Sequence, residues 1–153
     1  MSRVVQLTIL GSPIGKQRPR VSMQNGVVRT YTPEKTTNYE TLIAHEYSSK
    51  YGGRVFELDE PIHANIVAYF GLNKGDFGKN GLNKSGREKI SGVYATTKVD
   101  IDNILKCVFD ALNGICYPDD KQIVSVSASK CYTIDTPRVE IILESLVKEK
   151  NND

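Results

Sequence analysis

The stretch from Asp100 to Gly114 constrains this chain more than any other. Ile101, Leu105, Val108 and Leu112, flanked by Ile104 and Phe109, recur at helical spacing and form one apolar stripe. Asp102, Asn103, Lys106, Asp110 and Asn113 fall on the opposite half. The spacing predicts a helix over 101–113, with Asp100 at the N-cap position and Gly114 as a left-handed stop. Acids stand at both ends of this helix: Asp100 and Asp102 at its front, Asp119 and Asp120 in the turn after Tyr117-Pro118. Two carboxylates ~4 Å apart at an effective dielectric of ~20 repel by ~4 kcal/mol. A fold that gathers them needs a cation. Hard divalent ions such as Mg²⁺ bind through oxygen, usually one or two carboxylates plus water and substrate phosphate. The expectation is that these acids converge on one ion, and the implied chemistry is metal-assisted phosphodiester cleavage. Taken singly, Asp100 also serves as a cap, Asp102 as a helix-dipole partner and Asp119-Asp120 as turn residues.

The flanking elements give an α+β domain. Val4 to Leu10 predicts a strand, and Gly11-Ser-Pro-Ile-Gly-Lys-Gln-Arg-Pro-Arg20 a loop. Asn25-Gly26 between Val21–Met23 and Val27–Tyr31 is a strong hairpin signal, since a type I′ turn needs positive φ at both central positions. Thr32-Pro33-Glu34 opens a helix, with Thr32 as cap, running to about Ser49. Tyr39, Leu42 and Ile43 supply its buried side, with Tyr47 nearby. Pro61–Phe70, Ile123–Tyr132 and Arg138–Val147 alternate as strands. Residues 71–97 are rich in Gly, Asn and Lys, which predicts a mobile, substrate-touching loop with a short helix around Lys84–Ile90. The tail over 148–153 is expected to fray. The whole reads as one domain, a mixed β-sheet packed against two main helices.

Charge is uneven along the chain. Residues 1–30 hold Arg3, Lys16, Arg18, Arg20 and Arg29 and no acid. Residues 71–98 hold six basic residues, among them Lys98, against Asp76 and Glu88. A negative pocket among basic segments suits a phosphate polymer, and arginine forks match phosphate oxygens. Lys106, one turn after Asp102, either bridges to it on the helix surface or offsets charge on a phosphate in flight. Tyr31 and Tyr94 either pack or stack on exposed bases. Cys107, Cys116 and Cys131 show no metal-ligand spacing and are expected to be reduced structural thiols. No apolar run nears the ~20 residues of a membrane span. A cytoplasmic location is expected.

Asp100-Ile-Asp-Asn-Ile-Leu-Lys106, Asp110-Ala-Leu-Asn-Gly114 and Tyr117-Pro-Asp-Asp-Lys-Gln-Ile123 together resemble the RusA family of Holliday-junction resolvases. The Gly11–Arg20 loop resembles that of its phage and prophage branch. The resemblance implies a homodimer that makes two symmetric Mg²⁺-dependent cuts in four-way DNA junctions during recombination and repair, with Mn²⁺ able to substitute. It implies no membrane and no small-molecule cofactor. Asp100, Asp102 and Asp120 match the metal-binding carboxylates, Lys106 the essential lysine and Asp119 a neighbouring acid. The DNA-binding residues are expected to be Lys16, Arg18, Arg20 and Lys98. A non-catalytic DNA-binding protein on the same fold, and a nuclease for other branched DNA or RNA, remain alternatives.

Overall fold

Alternation decides the sheet. In β1 (Val4–Leu10), Val5, Leu7 and Ile9 are buried and their neighbours exposed. The same period of two runs through β4 (Ile62–Phe70) and β8 (Arg138–Ser145). With β7 (Ile123–Tyr132) they form one sheet ordered β1-β8-β4-β7, in the computed structural model, which describes residues 3–148. β8 runs antiparallel to both neighbours while β4 and β7 are parallel, so the sheet is mixed. Parallel strands need a long crossover. Here it contains α3 (Ile101–Leu112), the helix with acids at both ends.

Two main helices cover one face. Tyr39, Ile43 and Tyr47 of α1 (Glu34–Tyr51) meet Ile104, Cys107, Val108 and Leu112 of α3 over the inward row of the sheet. Full burial of a large apolar side chain stabilises by roughly 1.5–3 kcal/mol, so this single core holds the α+β domain together. α3 touches β7, yet part of that strand stays uncovered. Val126 is paired with the fully buried Ala64, yet is 43% exposed, and Val124 is 62% exposed.

Three local expectations need correction. Thr32 does not cap α1; Pro33 holds the cap position, and its carbonyl accepts the first helical N–H bonds. Leu42 faces outward, and Thr36 takes its place among the buried residues of α1. On α3 the buried stripe is rotated toward Cys107, and Ile101, the first residue of the helix, is exposed. The Asn25-Gly26 turn is as expected, with both residues at positive φ. It joins β2 (Arg20–Gln24) to β3 (Val27–Tyr31) as a separate two-stranded ribbon, which exposes Val21, Met23 and Val28. The tail lies outside the described residues from 149 onward.

Residues 71–97 carry more regular structure than the one short helix expected around Lys84–Ile90. A 3₁₀ turn (Lys74–Asp76), the short strands β5 (Phe77–Gly78) and β6 (Gly81–Leu82), and α2 (Lys84–Gly92) lie within them. Their organiser is Asp76, which is buried. Its carboxylate accepts from Lys89 Nζ (2.9 Å), Ser85 Oγ (2.7 Å) and the Asn73 N–H (2.8 Å). Gly86 packs against the Asp76 carbonyl where a Cβ would collide. These bonds, that of Lys89 foremost, hold the Asp76 carboxyl down at about 2. A depressed carboxyl stabilises the fold fully above its unfolded value of 3.8 and loses that contribution as pH falls through about 2. Asp76→Asn should therefore speed amide exchange across residues 73–92 at pH 7 while leaving β4 and α3 protected. For the wild type, exchange in the same segment should rise selectively as pH drops from 4 to 2, after correction for intrinsic rates.

Candidate functional site

The front of α3 presents Asp100, Asp102 and Lys106 to solvent. Asp100 has the extended backbone of an N-cap, but its side chain makes no capping bond. Asp102 and Lys106 form no ion pair with each other, and none of the three has a charged side-chain partner among the described residues. The side-chain cap open to Asp100 and the ion pair open to Asp102 and Lys106 are thus left unfilled, while Asp102 keeps its place in the first turn, where its charge favours the helix dipole. Asp100 and Asp102 line a shallow hollow with Tyr94, Ala128, Ser129 and Lys130.

A basic hollow of ≈ 530 Å³ lies on the adjacent flank of the helix. Arg18, Arg20, Lys35 and Lys16 line it together with Val99 and Asn103, and no acid does. Gly15 makes this approach possible, since a Cβ there would collide with Val99 and crowd Asn103. The Lys16 N–H donates to the Asn103 carbonyl at 2.8 Å and fixes the loop to α3. The four expected DNA-binding residues part company here. Arg18 and Arg20 are exposed. Lys16 is engaged by Glu40 (2.6 Å) and Asp110 (3.2 Å) and is only 20% exposed. Burial alone would lower its pKa, but the bonds and charges of Glu40 and Asp110 outweigh that and raise it. Lys98 borders a different hollow beside Asn73 and Pro137. Lys35 had no signal in sequence beyond its place in the first turn of α1.

Asp119 and Asp120 sit at the opposite end of α3. Asp119 caps a 3₁₀ turn (Asp120–Gln122), accepting from the Lys121 N–H at 2.9 Å. Gln122 clamps that turn by accepting from the Asp119 N–H and donating to the Glu57 carbonyl. Burial, then Asp119 and Asp110, raise the pKa of Asp120. The twelve residues of α3 span ~18 Å, whereas carboxylates sharing one Mg²⁺ each bond it at ~2.0–2.1 Å. The expected convergence of all four acids does not occur within one chain. Among the described residues no three Asp, Glu, His or Cys side chains gather to hold a metal.

The three cysteines are buried and free, and burial pushes the Cys107 and Cys116 thiols up to about 12, so neither is a nucleophile. Among the described residues no helix is long and apolar enough to cross a membrane.

The structure thus sets two exposed carboxylates at the front of α3 and an arginine-lined hollow on the flank of the same helix, on one α+β domain. The family model of endodeoxyribonuclease RusA matches residues 11–144. YqaN of Bacillus subtilis (strain 168), described as uncharacterized, is 30% identical over 142 residues, which cover 93% of this chain and 96% of that relative. The chain belongs to the RusA endodeoxyribonuclease family.

Asp120 supplies a test of this electrostatic picture. A carboxyl whose folded pKa is raised weakens the fold once it ionises, above its unfolded value of 3.8. Asp120→Asn should raise the melting temperature at pH 7, and the gain should vanish near pH 3. A lower melting temperature at pH 7 would place Asp120 among stabilising contacts instead.

Proposed function

We propose that the protein is a Mg²⁺-dependent endonuclease that resolves four-way DNA junctions by paired cuts, in DNA recombination and repair. The observation that carries the reading is the exposed, unpartnered Asp100–Asp102 pair beside the basic hollow. A DNA-binding protein without activity gains nothing from carboxylates facing phosphate, because they repel it. The donor set suits the ion, since exposed carboxylate oxygens without protein partners are the hard ligands that Mg²⁺ or Mn²⁺ takes. Bound there, the ion would polarise the scissile phosphate and lower the pKa of a water.

The rest falls to the chain's own groups. Arg18, Arg20 and Lys35 hold the phosphate backbone, and Lys16 braces their loop. Lys106 lies free on the same helix face to offset charge as the phosphate is attacked. Asp120, absent from this end of its own helix, comes from a second copy. β7 supports that reading. Its far end is covered by residues 93–95, through the Ala95 N–H to Lys130 O and Tyr132 N–H to Val93 O bonds. The remainder is an open edge flanked by the exposed Val124 and Val126, with Asp120 at one end and the Asp100–Asp102 hollow at the other. Unprotected edges of this kind invite a partner strand. A two-fold axis through the middle of that edge sets each Asp120 against the partner's Asp100 and Asp102. It yields two sites, as paired cuts require.

Asp102→Asn should lower Mg²⁺-dependent cleavage of a four-way junction at least about a hundredfold while leaving junction affinity equal or tighter. Equal wild-type cleavage of linear duplex and junction would remove the claim of junction specificity. Loss of binding in a folded Asp102→Asn protein would make Asp102 structural.

A further inference from the structure

Tyr94 is the most conspicuous group that this reading leaves unused. Tyr94 is 65% exposed, so it is not packed within its own chain. It forms the ridge between the Asp100–Asp102 hollow and a second hollow lined by Glu88, Thr96, Thr97 and Tyr132. The backbone beneath it is strained. Val93, a β-branched residue, has φ 68° and ψ −52°, and the Tyr94 N–H donates to the Gly92 carbonyl at 2.8 Å. That is a three-residue γ-turn of the rare, strained hand. Valine is among the residues least suited to positive φ. Gly92, one residue earlier, would adopt it freely. The strain is held by bonds on both sides: Tyr132 N–H to Val93 O at 2.8 Å, and Ala95 N–H to Lys130 O at 2.9 Å, with Ala95 itself buried. A rigid mount therefore presents an aromatic ring to solvent beside the acid pair. Strained backbone fixed by its surroundings recurs where a side chain must be aimed.

We propose that Tyr94 is a stacking platform for a nucleobase displaced from the helix at the branch point, next to the phosphate addressed by Asp100 and Asp102. An aromatic face accepts any base, and stacking of this kind is a general mode for unpaired nucleotides. Lys130, in the same hollow as the ring, suits the phosphate that follows such a base. Tyr94 is thus a positioning residue that selects which phosphate meets the acids. The inference rests on the nuclease reading only for the identity of that phosphate.

The test needs no cleavage. Four-way junctions carrying a single 2-aminopurine at each position flanking the branch point are bound to full-length protein in EDTA. At one or more positions, wild type and Tyr94→Phe should quench the probe equally, and Tyr94→Ala should leave it at least twofold brighter. In Mg²⁺, Tyr94→Ala should lower kcat/KM about tenfold or more and spread the cuts over neighbouring phosphates, while Tyr94→Phe keeps the wild-type pattern. Fluorescence identical in wild type and Tyr94→Ala at every position, with unchanged cut sites, would overturn the proposal. Quenching that depends on Tyr94 in a protein that cuts no DNA would support stacking and separately defeat the nuclease reading.

Discussion

α3 acts as a rigid spacer, and the organisation of the molecule depends on it. Its twelve residues are fixed along their length by Ile104, Cys107, Val108 and Leu112 in the core. The bridge from Lys16 to Glu40 and Asp110 ties the helix to α1 and to the basic loop. Asp100 and Asp102 are thereby held at one end, and Asp119 and Asp120 at the other. Like charges kept ~18 Å apart lie beyond the screening length of ordinary salt and barely repel. The isolated chain avoids the penalty of clustering them, and under the proposed reading two copies meet that penalty only when a cation is present to offset it.

The basic side of the site follows from the same spacer. Gly15 lets the first loop lie against Val99 and Asn103, so the hollow lined by Arg18 and Arg20 shares the front of α3 with the carboxylates, and the arginines form no ion pair with them. Lys16 does the opposite: it neutralises internal acids and leaves the arginines free. The one lysine and the two arginines of this loop thus have different duties, decided by which acids lie within reach.

Much of this was legible in the sequence. Period-two alternation pointed to three of the four sheet strands and β-branched, apolar content to the first, period 3.6 to α3, and Asn25-Gly26 to the ribbon turn. The acidic residues at the helix ends were visible because they lie close together in the chain. What escaped were features made by distant partners. Lys16 looked like a free cation because Glu40 comes from another element. Apart from the short helix around Lys84–Ile90, residues 71–97 looked unstructured because buried polar bonds to Asp76, rather than apolar periodicity, organise them. The strained turn at Val93 has no sequence signature, since valine is among the residues least suited to it. Separation of the acids was hidden for a simpler reason: spacing along the chain does not say at which end of a helix a returning strand begins.

The central claim is that the acids from opposite ends of α3 meet between two copies. Mixing Asp102→Asn and Asp120→Asn proteins, each inactive alone, and allowing subunits to exchange tests it directly. In a mixed dimer one composite site carries both substitutions and the other carries neither. The account predicts that Mg²⁺-dependent nicking of a four-way junction returns in the mixture, with one strand cut per complex. A mixture whose subunits have exchanged but which stays as inactive as its parents would contradict it.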